Sequence, residues 1–264
     1  MFKDIILHLE RDPSRDIARD FAVSIAEAFS AHLTALIFNF EANIPADALG
    51  DLFAESETEA RGAIERFELA TKRGALSAES RLVSGTPKTF SEVARCFDLS
   101  VVMQSDDHKG ISNSILIETT LFDSGRPLII VPSTQRETLK LEKVVCCWDG
   151  SRTATRAIND ALPFLRKANA VELLIVEDET TTNDQVKGTE IGRHLARHDI
   201  KVAVETIPAA DRDVANAILS HVAGSPTSLL VMGGYGHSRL REFVFGGATR
   251  GMLSAMTVPV FMSH

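Results

Sequence analysis

Lys143-Val144-Val145-Cys146-Cys147-Trp148 repeats, 139 residues further along the chain, the pattern of Asp4-Ile5-Ile6-Leu7-His8-Leu9. The register holds without a gap through the next two elements. Ile17, Phe21, Ile25 and Ala28 form a helical apolar stripe in the first copy, and Ala154, Ile158, Ala161, Leu162 and Leu165 form one in the second. Leu33 to Phe38 then lies opposite Glu172 to Glu177. Further on, Ser100-Val101-Val102-Met103 matches Leu229-Leu230-Val231-Met232, and Arg126-Pro127-Leu128-Ile129-Ile130 matches Val258-Pro259-Val260-Phe261-Met262. These later offsets are 129 and 132, so insertions and deletions separate them. The chain is a duplication, and such self-similarity governs the reading of everything else.

Short β-branched runs alternate with segments of helical period in each copy, which is the signature of βαβ units around a parallel sheet. The second copy predicts strands near 143–148, 170–176, 201–206, 228–232 and 258–262, with helices near 152–167, 185–198, 211–223 and 246–256. The first predicts strands near 4–9, 32–39, 78–83, 99–103 and 127–131, with helices near 14–30, 51–74, 87–97 and 112–124. The expected domains are 1–134 and 141–264, joined by the polar stretch Pro132-Ser133-Thr134-Gln135-Arg136-Glu137-Thr138. Glu41 to Ser56 has no counterpart of equal length, and reads as a surface loop or a helix extension.

Composition narrows the function. With 44% hydrophobic residues, the 264-residue chain can bury large cores. Its 28 Lys and Arg against 36 Asp and Glu leave a charge of −8, a poor balance for a sequence-independent nucleic-acid coat. Three cysteines make no disulfide framework, so buried thiols in a reducing, cytoplasmic compartment are expected. No run approaches membrane-span length, and the N-terminal run is too short for a secretory signal.

The chemistry concentrates in Val231-Met232-Gly233-Gly234-Tyr235-Gly236-His237-Ser238-Arg239-Leu240-Arg241-Glu242-Phe243-Val244-Phe245-Gly246-Gly247-Ala248-Thr249, between a predicted strand and a predicted helix. Glycines reach positive φ and bring backbone N–H groups close to an anion. A helix opening at Gly246-Gly247 adds free amides and a favourable dipole. Thr249 offers a hydroxyl, while His237 and Arg239 offer positive charge at the rim. Ligands of open α/β sheets sit where the strand order reverses, and a reversal between the first and fourth strands brings Asp149 to the same crevice.

Gly233-x-x-Gly236-x9-Gly246-Gly247-x-Thr249, with Trp148-Asp149-Gly150-Ser151 ending the first strand, resembles the ATP-binding signature of the universal stress protein family. The resemblance extends over nearly the whole chain in a tandem, two-domain form. It implies two Rossmann-like α/β domains of the adenine nucleotide alpha hydrolase-like kind. Each would be a five-stranded parallel sheet of order 3-2-1-4-5 with helices on both faces. It further implies that Asp149 and Val176 hold adenine, and that Gly233, Gly236, His237, Gly246, Gly247, Ala248 and Thr249 hold ribose and phosphates. The ligand would be ATP, or ADP or AMP, with Mg2+ an option at the acidic stretch 177–184. Where the family often has Ser or Thr after the third glycine, this chain has Gly247.

The first copy departs from the signature. Gln104-Ser105-Asp106-Asp107 replaces the glycines, no Gly-Gly opens its last helix, and Glu10 stands in the place of Asp149. It is expected to be nucleotide-free. The resemblance also implies pairing of the last strands (127–131 and 258–262), giving an internal pseudo-dimer and further dimers between chains.

Three function classes follow: a nucleotide-binding regulator of the stress response, a slow ATPase or nucleotide-transfer enzyme, and an interaction scaffold with a vestigial pocket. An enzyme would need a base and a metal, for which Asp149, His237 and the 177–184 loop are the only visible candidates; no nucleophile elbow or Walker A loop is present. Glu190, His194 and His198 recur every four residues, which suits a metal in principle but suits a solvated helix face better. Ser151 is placed to cap the helix that follows it.

Overall fold

The computed structural model describes residues 1–39, 49–105, 113–177, 188–209, 213–235 and 247–264. The chain forms two compact units, Met1–Leu139 and Lys140–His264.

The N-terminal unit runs β1 (Asp4–His8), α1 (Ile17–Phe29), β2 (His32–Asn39), α2 (Leu49–Arg73), β3 (Ala78–Ser84), α3 (Pro87–Ala94), β4 (Leu99–Met103), α4 (Asn113–Asp123) and β5 (Leu128–Val131). All its strand pairs are parallel, in the order β3-β2-β1-β4-β5. The C-terminal unit runs β6 (Lys143–Cys147), α5 (Arg152–Asp160), α6 (Leu162–Leu165), β7 (Ala170–Glu177), α7 (Thr189–Arg197), β8 (Val202–Pro208), α8 (Val214–Ala223), β9 (Leu229–Gly233), α9 (Gly247–Ala255) and β10 (Val260–Ser263). Its order is β8-β7-β6-β9-β10, again all parallel. Each unit is therefore a 3-2-1-4-5 sheet of the Rossmann-like α/β class.

Apolar runs become central strands because helices cover both faces. Ile5, Ile6 and Leu7 of β1, and Val144, Val145 and Cys146 of β6, are completely buried. In the N-terminal unit α1 packs with α2, and α3 with α4; in the C-terminal unit α8 packs with α9. Helix α1 buries the stripe Phe21, Ala22, Ile25, Ala26 and Phe29 and stops at Ser30, which takes a left-handed φ of 51°.

The structure refines the sequence reading at three places. The helix predicted over 152–167 is broken into α5 and α6 around Ala161, where Pro163 supplies no N–H to the preceding turn. The segment 41–56 contributes a helix extension from Leu49, while 40–48 lies outside the described residues. Helix α7 starts at Thr189, behind Gly188 with φ 48°, rather than at 185; residues 178–187 lie outside the described ones.

Glu172 is a charged residue amid the apolar residues of β7. Its carboxylate is buried between the Lys143 ammonium (2.8 Å) and His221 Nε2 (2.6 Å). Burial alone would raise its pKa; hydrogen bonds to Lys143 and His221 outweigh that and lower it. Cys146 is buried and its thiol is pushed far above the ordinary range by burial. Burial, with the negative charges of Asp149 and Glu172, pushes the Cys147 thiol up to about 12. Burial thus disfavours the thiolate form at both sulfurs. No helix among the described residues is long and apolar enough to cross a membrane.

Candidate functional site

From β6 the chain crosses to β7 on one side, and it returns through β8 to β9 on the other side of β6. The carboxyl ends of β6 and β9 therefore flank the reversal point where ligands of such sheets bind. The register Cys146↔Val231 brings Trp148 level with Gly233, the last residue of β9, and Cys147↔Leu174 brings Asp149 level with Val176. Asp149, Val176 and Gly233 thus converge on one end of the sheet.

Asp149 is exposed, and its Oδ1 accepts from the Ser151 amide at 2.9 Å. Gly150 takes a φ of 75°, which turns the chain toward α5. Ser151 caps that helix by accepting from the Ala154 amide at 3.1 Å, as its position in the sequence suggests. Val176 is half-buried near the end of β7.

Gly233 has a specific reason to be glycine. A Cβ there would stand 2.6 Å from Ala154 N, Thr153 C and Thr153 Oγ1. The start of α5 packs directly on the end of β9, so the missing side chain serves helix–strand contact.

The next two residues are anchored by long-range bonds that no local motif announces. The Gly234 amide donates to the Ser263 carbonyl at 2.9 Å, and the Gly234 carbonyl lies 3.0 Å from His264 Nδ1. The Arg156 guanidinium donates to the His264 carbonyl at 2.9 Å, and Ser263 Oγ donates to Asp160 Oδ2 at 2.9 Å. The Tyr235 amide donates to Thr249 Oγ1 at 3.1 Å, and Thr249 is 4% exposed. Thr249 therefore staples the first turn of α9 to the loop leaving β9, and its hydroxyl retains one proton to donate.

Gly247, the first residue of α9, is exposed, and a Cβ there would meet nothing within 4 Å. Its amide and that of Ala248 belong to the first turn of α9, where backbone N–H groups have no partner within the helix. Gly236, His237 and Gly246 lie outside the described residues, as do Arg239 and most of the acidic stretch 177–184.

The helical histidines have other partners. His194 Nε2 lies 3.1 Å from Asn159 Oδ1, His198 Nδ1 lies 3.1 Å from an Arg166 nitrogen, and Glu190 pairs with Arg193. Among the described residues no three His, Cys, Asp or Glu side chains cluster as metal ligands.

In the N-terminal unit the equivalent end of the sheet is occupied by side chains. Glu10 Oε1 accepts from Asn113 Nδ2 at 2.7 Å, and its carboxylate lies 3.5 Å from both Arg15 Nε and His8 Nδ1. The same Asn113 amide reaches the Met103 carbonyl (3.2 Å), and Arg15 donates to the Gln104 carbonyl (2.8 Å). Burial by itself would raise the Glu10 pKa; His8, Arg15 and Asn113 overcome this and hold it at about 2.

A doubly wound α/β unit with a crevice at its strand-order reversal is the class these features define. Residues 140–264 match the model of the Universal stress protein family. The C-terminal unit belongs to that family, and the N-terminal unit repeats its fold. The whole chain is similar in structure to a universal stress protein from Archaeoglobus fulgidus DSM 4304, at 14% identity over 98% of this chain and 96% of that one, with a TM-score of 0.73. It is also similar to a functionally unknown protein from Pseudomonas aeruginosa PAO1, at 16% identity over 99% and 92% of the two chains, with a TM-score of 0.63. At these identities the likeness is one of fold. No curated protein matches the chain.

Proposed function

We propose that the C-terminal unit binds an adenine nucleotide, ATP or its relatives ADP and AMP, in the crevice between the ends of β6 and β9, and that occupancy serves as a regulatory signal in a stress response. The convergence of Asp149, Val176, Gly233 and the open first turn of α9 on the strand-order reversal carries this reading. In it, Asp149 and Val176 face the base. The amides from Gly236 onward, with those of Gly246, Gly247 and Ala248, face ribose and phosphates, and His237 adds charge. Gly233 and Thr249 act by shaping the loop, because one packs on α5 and the other holds the Tyr235 amide. Mg2+, if required, would be held near the acidic stretch after β7. The N-terminal unit carries no nucleotide in this proposal, because Glu10, Arg15 and Asn113 fill its crevice. The proposal includes a cytoplasmic setting, an internal pseudo-dimer of the two halves and a homodimer between chains.

Native mass spectrometry of the purified full-length chain tests the reading, since it retains bound ligands and assembly mass together. One adenine nucleotide per chain is the expected stoichiometry. ADP accompanied by turnover of added ATP would convert the reading into that of a slow ATPase. An empty protein that gains no thermal stability from added ATP, ADP or AMP overturns it.

Gly247 supplies a second prediction. Because a side chain there meets no neighbour, Gly247→Ser preserves the fold and adds a hydroxyl donor at the helix start. ATP affinity is expected to rise about fivefold, the effect of one net hydrogen bond of about 1 kcal/mol. Calorimetric titration of the two proteins measures it.

A further inference from the structure

The cluster around Glu10 does more than fill space. We propose that His8 Nδ1, Arg15 Nε and Asn113 Nδ2 form an anion pocket in the N-terminal unit whose occupant is the chain's own Glu10 carboxylate. Three observations support it.

The donors come from three separate segments and meet at one carboxylate. His8 ends β1, Arg15 precedes α1, and Asn113 opens α4, at 3.5, 3.5 and 2.7 Å from its oxygens. His8 Nδ1 and Arg15 Nε are buried, make no hydrogen bond among the described residues, and face the carboxylate oxygens at 3.5 Å. The donors are also held in place. The His8 ring stacks on Phe38 and meets the edge of Phe90, with centroids 5.8 and 5.9 Å away. Arg15 is fixed at its far end by the Gln104 carbonyl, and Asn113 by the Met103 carbonyl.

The C-terminal unit lacks all three donors. At the 139-residue offset His8 and Arg15 correspond to Cys147 and Ala154, and Asn113, the first residue of α4, corresponds to Gly247, the first of α9. After the duplication, the N-terminal copy carries an internal ligand that the corresponding positions of the C-terminal copy cannot hold. A bound anion stabilises the state that binds it, and one that is covalently attached does so at every ligand concentration. The N-terminal unit would then keep its fold regardless of metabolite levels. This inference does not depend on nucleotide binding by the C-terminal unit.

Chemical rescue in the full chain tests it. Glu10→Ala removes the occupant and leaves three donors around a space of carboxylate size. The variant is expected to lose about 5 °C or more of melting temperature in the N-terminal unit. Formate or acetate should restore at least half of that loss in a saturable manner. Sodium chloride at equal ionic strength should not, and the wild-type protein should respond to neither. Adding Arg15→Met should abolish the rescue. An unchanged melting temperature for Glu10→Ala, or equal responses to formate and chloride, overturns the proposal. Should Glu10→Ala fail to fold, Glu10→Gln keeps the shape and the Asn113 contact without the charge. Amide exchange across Asn113–Asp123 is then expected to accelerate at least about tenfold, and unchanged protection overturns the proposal.

Discussion

Replacing Gly233 by valine should unfold the C-terminal unit well before the N-terminal one. The first added carbon would lie 2.6 Å from two backbone atoms of α5 and from the Thr153 hydroxyl. Those backbone atoms belong to a first turn that Ser151 caps, so they have little freedom to retreat. The branched methyl groups add further overlap. Overpacking of this kind costs about 3 kcal/mol, a large part of a single domain's stability. Urea unfolding followed by circular dichroism should show a C-terminal transition shifted to lower denaturant and an unmoved N-terminal one. Gly247→Ala is the control, because its methyl group meets open space; it should change stability by less than about 0.5 kcal/mol. A Gly233→Val protein as stable as the parent would show that the contact with α5 is not tight in solution.

The second large effect is on ligand binding. Gly236→Asp should abolish stabilisation by ATP while leaving the ligand-free protein's melting temperature nearly unchanged. Gly234 and Tyr235 have committed their amides to Ser263 and Thr249. In the proposed reading, phosphate contacts from this loop begin at Gly236 and resume at the start of α9. A carboxylate at Gly236 brings a side chain and a like charge against a polyphosphate. ATP at a hundredfold excess over its dissociation constant stabilises a folded unit by about 2.7 kcal/mol, and the variant forfeits this. Differential scanning fluorimetry with and without ATP reads the loss. Asp106→Gly in the N-terminal unit is the matching control and should create no binding, since the Glu10 cluster stays in place. A full ATP shift in the Gly236→Asp protein would place the phosphates elsewhere.

Much of the architecture was legible before any coordinates. Continuous apolar runs and helical stripes repeat at a constant offset of 139 residues through two elements, and hydrophobic periodicity records which helix faces are buried. That sufficed for two α/β units, for the strands to within a residue or two, and for the Ser151 cap. Helix ends were harder. Pro163 lies within a stripe of apolar residues, and its missing N–H divides α5 from α6. The order 3-2-1-4-5 came from resemblance, because pairing between distant strands leaves no local trace; the structure has that order in both units.

At the candidate site the division is sharper. Glycine spacing marked the loop after β9, and the mismatch of Glu10 and Gln104 marked the first unit as different. The sequence alone thus determined the duplication, the fold class and the segment where ligand chemistry concentrates, since each is a matter of residue type at short spacing. Only the tertiary structure decided what individual residues do there. It set Gly233 against α5, made the Thr249 hydroxyl a staple to the Tyr235 amide, tied Gly234 to the last residue of β10, and gathered His8, Arg15 and Asn113 around Glu10. These contacts join groups up to 108 residues apart, as between Arg156 and His264. Burial, distance and donor direction exist only once the chain has folded, so no pattern of neighbours along it encodes them separately.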